Sequence, residues 1–182
     1  MSESLSIRSL LVVGGARSGK SRYGQDCAER SGKKPVLIAT AEAGDAEMAA
    51  RIAAHKAARR PHWRVVEESL DLVSVLEHEA GRDRVLLVDC LTLWLSNVMH
   101  GCDPEAECGL LAQAIKGLAG PAIFISNEVG AGIVPQTELG RKFRDAQGHL
   151  NQAVAAACDA TVLMAAGLPL VLKPKASVVL RL

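Results

Sequence analysis

Aromatic residues are scarce in this chain: one Tyr, two Phe and two Trp among 182 residues. So few rings leave little platform for stacking single-stranded bases. Charge of one sign is also missing, because 21 Lys and Arg face 20 Asp and Glu for a formal net charge of +1. No long-range field therefore draws the chain onto a polyanion, and nucleic-acid binding is not expected. The five cysteines include no C-x-x-C pair and are odd in number, which argues against a disulfide framework or zinc ribbon and for reduced, buried thiols. There is no uncharged apolar stretch of about 18 residues and no apolar core in the charged start, so neither a membrane span nor a secretory leader is expected. A cytoplasmic address follows.

What the chain does have is globular composition, with 49% apolar and 23% charged residues, and a length that fits one domain over 1–182. Short β-branched runs alternate with helical patterns, the order of a mostly parallel sheet flanked by helices. The expected strands are Leu10–Val13, Pro35–Thr40, Arg64–Val66, Val85–Asp89, Ala122–Ser126, Ala160–Ala165 and Pro169–Leu172. Several lack polar alternation, as strands buried on both faces do. Helices are expected over Lys20–Ser31, Asp45–Arg60, Leu70–Ala80, Leu91–His100, Glu105–Leu118 and Thr137–Cys158. No repeat or Gly/Ser/Pro-rich linker marks a second domain, and only residues 1–9 and 174–182 read as loosely ordered.

Gly14, Gly15, Ala16, Arg17, Ser18, Gly19, Lys20 and Ser21 fit G-x-x-x-x-G-K-[ST] between an apolar strand and a helix, the setting of a phosphate-binding P-loop. Glycines let backbone N–H groups converge on an anion, and the helix adds its positive end. Lys20 then reaches the β- and γ-phosphates of ATP or GTP, and the Ser21 hydroxyl ligates Mg²⁺. Val85–Asp89 ends an apolar strand in a carboxylate placed to hold the same ion. A strand-end Asp also serves as a helix cap, with Thr92 a competing cap, so both roles stand for this position. The expected class is an α/β P-loop NTPase of RecA-like form.

Glu47, Arg51, His55 and Arg59 recur at i, i+4 and form one polar stripe on a helix. Two flanking guanidinium groups disfavour imidazolium, which keeps His55 neutral and nucleophilic. The same spacing is common surface stabilisation, and by itself the pattern leaves that alternative open. His62, His78, His100 and His149 have no comparable setting and read as surface or packing residues.

The P-loop, Ala39–Ala41, Glu47–Ile52, His55–Lys56, His62–Arg64, Asp89–Thr92 and Asn127–Pro135 together resemble one family. It is the bifunctional adenosylcobinamide kinase/adenosylcobinamide-phosphate guanylyltransferase of cobalamin biosynthesis. The similarity runs from about Leu11 to Lys173. The resemblance implies that ATP or GTP phosphorylates adenosylcobinamide, after which GTP donates GMP to adenosylcobinamide phosphate through a guanylylated histidine, giving adenosylcobinamide-GDP and pyrophosphate. The acceptor histidine of the family matches His55, and with Lys20 it forms the expected catalytic pair. The matching nucleotide-binding positions are Gly14 to Ser21, Ala39, Thr40, Ala41, Lys56, Ala57, Ala58, Arg59, Glu67 and Asp89, with Ser21 and Asp89 on Mg²⁺. A carboxylate at Glu67 can accept from guanine N1–H and the exocyclic amine, a pair that adenine does not offer. Some members carry a second His before the acceptor; Ala54 stands there in this chain, which leaves a single nucleophile. Asn127–Pro135 follows a strand end and is expected to touch the corrinoid or shape the site, the alternative being a Gly-rich structural turn. The family also implies a homotrimer.

Overall fold

In the computed structural model, residues 6–42 and 62–174 are described. Their centre is a seven-stranded sheet in the order β3-β2-β4-β5-β1-β6-β7. The strands are β1 Ser9–Gly14, β2 Lys34–Ala39, β3 Arg64–Glu67, β4 Arg84–Asp89, β5 Ala122–Asn127, β6 Ala160–Ala165 and β7 Leu168–Lys173. All neighbours pair in parallel except β6 and β7. The helices among these residues are α1 Lys20–Arg30, α2 Leu72–Glu79, α3 Leu91–Val98, α4 Pro104–Gly117 and α5 Glu138–Ala157. Each lies within two residues of its expected bounds.

The sheet's two faces carry separate cores. On one, Leu11, Val13, Leu86, Val88 and Phe124 pack against Leu72 and Leu76 of α2, Trp94 of α3, Leu111 of α4 and Leu150 of α5. On the other, Leu10, Val12, Leu87, Ile123 and Ile125 meet Ala28, Tyr23 and Cys27 of α1. Alternation along each strand divides these sets, so the face on which any strand-end residue emerges can be read from its neighbours.

Two expectations need correction, and one apolar strand is largely exposed. β7, an apolar run, leaves Leu168, Leu170, Val171 and Leu172 70%, 57%, 53% and 43% exposed. It is an antiparallel edge strand, and none of the described helices covers it. The loose start ends sooner than residue 9: Ser9 is buried in β1, and the N–H groups of Arg8 and Ser9 donate to Asp159 Oδ2 at 2.7 and 3.1 Å. The free cysteines are not uniformly buried, because Cys102 is exposed and Cys27 half-buried.

Candidate active site

Parallel strands bring their carboxyl ends to one rim, where open α/β sheets bind ligands. Ala39 is paired with Glu67 on one side and Asp89 on the other, Asp89 with Ile125, and Gly14 with Asn127. Expected site residues from four separate stretches of sequence therefore stand along a single edge.

The loop from Gly14 to Gly19 joins β1 to α1 as expected. A Cβ on Gly14 would lie 2.5 Å from the Met164 carbonyl oxygen and 2.8 Å from Ser18 Oγ, so only glycine fits. Gly19 takes φ 94° at the N-cap of α1 and supplies no side-chain cap, and the first turn carries no acidic residue. The helix thus offers its N–H groups and positive dipole end to an anion. Lys20 is 7% exposed, its ammonium donating to the Gly15 carbonyl at 2.6 Å. Ser18 Oγ is buried without a hydrogen-bond partner among the described residues. An orphan hydroxyl in a loop of converging donors suits a polyanionic ligand.

Asp89 alternates with Val88 and follows the register of Leu87, which puts it on the α1 face of the sheet. Cys90 is the N-cap of α3 and makes no side-chain cap bond. The hydroxyl of Thr92, the competing cap, accepts from the Asn127 N–H at 2.8 Å. A hydroxyl at Ser21 and a carboxylate at Asp89 are hard oxygen donors of the kind Mg²⁺ selects. Among the described residues no cluster of three or more His, Cys, Asp or Glu side chains forms a metal cage, and a Mg²⁺ ion that rides on nucleotide phosphates needs none.

Thr40 turns inward. Its hydroxyl donates to the Cys90 carbonyl at 2.7 Å and accepts from the Cys90 N–H at 2.9 Å, and its own carbonyl accepts from Asn97 Nδ2. It thereby locks β2 to the turn after Asp89, while Ala39 and Ala41 remain partly accessible. Glu67 is exposed at the end of β3. His55 and the nucleotide-binding expectation over 56–59 fall outside the described residues. The four other histidines are exposed, as expected.

Two groups of residues escaped sequence reasoning. Ser126, Gln147 and Asn151 form a buried polar cluster behind the end of β5; the only signal was a Gln and an Asn at i, i+4 on the same helix as Leu150 and Val154. Glu79 is 3% exposed and joins Arg64 of β3 to Arg84 of β4 at 2.6 and 3.0 Å, with no local signal. Cys90 is no rival nucleophile, since burial and then the Asp89 charge push its thiol up to about 11.

The fold alone is similar to solved structures of low identity. A RadB recombinase matches with a TM-score of 0.50 at 17% identity over 85% of this chain and 73% of that one. A type III secretion ATPase matches at 0.53 and 14% identity over 86% and 50%. These likenesses make the sheet RecA-like. Bifunctional adenosylcobalamin biosynthesis protein CobP of Pseudomonas aeruginosa is 48% identical over 166 residues, spanning 90% of this chain and 96% of that protein. The corresponding CobU of Escherichia coli is 35% identical over 90% and 99%. The family described as cobinamide kinase / cobinamide phosphate guanyltransferase matches residues 10–172. With its phosphate loop, strand-end carboxylate and rim in place, the chain belongs to the cobinamide kinase/cobinamide phosphate guanylyltransferase family.

Proposed function

We propose that one rim serves both reactions, with His55 as the guanylyl acceptor. The observation that carries this reading is the cradle itself: a buried Lys20 and an uncapped α1 terminus on the same face as Asp89. In the kinase step the loop N–H groups and Lys20 bind the β- and γ-phosphates and offset charge as the phosphoryl group moves to the aminopropanol hydroxyl of adenosylcobinamide. Mg²⁺, held by Ser21 and Asp89 through the phosphates, would supply charge neutralisation there. In the second step the neutral His55 imidazole attacks the GTP α-phosphorus, pyrophosphate departs, and the phosphate of the corrinoid then displaces the imidazole. A covalent phosphoramidate divides one transfer into two in-line displacements. Lys56 to Arg59 fit a phosphate-binding role beside it, and Glu67 reads guanine from the end of β3.

The loop after β5 presents Ile133 and Val134, 97% and 58% exposed, on the rim side of the sheet. An apolar surface there suits a large acceptor such as the corrinoid. The uncovered apolar residues of β7 suit a contact between copies of the chain, consistent with a homotrimer. Among the described residues no helix is long and apolar enough to cross a membrane, and free thiols suit the cytoplasm.

Incubation with adenosylcobinamide and GTP, followed by mass analysis, tests the reading. Adenosylcobinamide phosphate and then adenosylcobinamide-GDP are expected. Phosphorylation without the GDP product would leave a kinase alone, and nucleotide hydrolysis with no corrinoid product would point to a nucleotide-gated switch.

A further inference from the structure

Both main-chain groups of Asn127 are held by side chains. Its N–H donates to Thr92 Oγ1 at 2.8 Å, and its carbonyl accepts from Asn151 Nδ2 at 3.0 Å. Asn151 Oδ1 in turn accepts from Ser126 Oγ at 2.6 Å and from Gln147 Nε2 at 3.0 Å. Ser126 and Gln147 are fully buried, Thr92 and Asn151 are 7% and 9% exposed, and Gln147 Oε1 lacks a partner among the described residues. Burying four polar side chains behind one strand end costs more than apolar packing there would. In return such a network fixes geometry.

What it fixes lies beside the cradle. Ser126 faces α5, so alternation along β5 turns the Asn127 side chain to the α1 face, the side of Ile123 and Ile125. Asn127 is paired with Gly14, and the next N–H, that of Glu128, donates to the Gly14 carbonyl at 3.0 Å. Because β5 separates β1 from β4, Asn127 stands between the P-loop and the strand that ends in Asp89. It is only partly buried, and its carboxamide makes no hydrogen bond with any described residue.

We propose that the Asn127 carboxamide donates to a γ-phosphate oxygen of the nucleotide bound by Gly14 to Ser21, and that Thr92, Gln147 and Asn151 are its positioning residues. The inference rests on the kinase reading above. In that step the acceptor oxygen forms a bond to the γ-phosphorus while the bond to the β–γ bridging oxygen breaks. The electron pair leaves on the nucleoside diphosphate, and the hydroxyl proton passes to solvent. A fixed donor on an equatorial oxygen stabilises charge that spreads there during transfer. Attack on the α-phosphorus releases the γ-group within pyrophosphate, so guanylylation needs this donor less.

The test compares the full-length chain with Asn127→Ala and Asn127→Asp, reading calorimetric Kd for GDP and for the β,γ-imido analogue of GTP, and kcat and KM for both reactions. The expected result is an unchanged Kd for GDP, a roughly tenfold loss for the analogue, and a kinase kcat lower by about 100-fold, with guanylylation much less affected. Thr92→Val should reproduce part of the kcat loss without moving KM, and Thr92→Ser should restore it. Equal losses for GDP and analogue, or an unchanged preference for the analogue, would overturn the proposal. If Asn127→Ala does not fold, Asn127→Asp keeps the shape and still decides, through repulsion of the γ-phosphate. Failure of the wild-type chain to phosphorylate adenosylcobinamide would strike the kinase reading instead, and the two binding constants would still judge Asn127.

Discussion

Lys20 shows how a single side chain makes the site. It belongs to the first turn of α1, is almost wholly buried, and donates to the backbone of the loop it serves. Glu67 is the opposite case, an exposed carboxylate at a strand end, and its proposed part is to accept from the base edge of guanine. Replacing Glu67 with Gln should raise KM for GTP at least tenfold while leaving ATP use within about twofold, since an amide presents one acceptor where the carboxylate presents two. Steady-state kinetics with each nucleotide checks this, and equal changes for both would remove Glu67 from base recognition.

At the scale of elements, the rim depends on strands being held in register far from the chemistry. β3, short and largely exposed, carries Glu67 and is tied to β4 by Glu79, whose buried carboxylate takes Arg64 and Arg84. Glu79→Ala should lower unfolding free energy by about 2 kcal/mol, because a buried carboxylate and its bonds are lost while both arginines can turn to water. Arg64→Ala, losing a partner that is 62% exposed, should cost less than about 1 kcal/mol. Urea denaturation separates the two, and a larger effect at Arg64 would contradict the assignment of roles. Among the described residues the strand and helix order was legible in the sequence because apolar runs and helical spacing report burial locally; the expected helix Asp45–Arg60 lies outside them. The P-loop was legible because its glycines answer to a local backbone demand. Glu79 and the Ser126–Gln147–Asn151 cluster were not, since a buried polar residue is defined by partners distant in the chain. The exposure of β7 was not legible for a related reason: composition marks a strand, and only the neighbours decide whether its faces are covered.

At the largest scale, the two apolar cores of the described residues enclose Cys90, Cys108 and Cys158. Desolvation, the first cause in each, pushes Cys90 and Cys108 up to about 11 and Cys158 up to about 12, from 9.0. The native state therefore holds these protons more tightly than the unfolded chain. Their contribution is complete below about pH 9, where both states are protonated, and is lost as pH rises from about 9 through the folded values of about 11 and 12. Stability measured by urea denaturation should fall between pH 9 and pH 11, with a shallower fall in Cys158→Ala; a flat profile would contradict the burial assigned to the thiols.

Guanylylation as proposed requires the cradle to present the GTP α-phosphorus to the His55 imidazole. Incubation with α-labelled GTP, followed by denaturation and measurement of retained label, decides this. The expected result is label on the protein that is labile in acid and stable in base, and lost in His55→Ala with nucleotide affinity retained. Absence of label on the wild type, or undiminished label on His55→Ala, would contradict it.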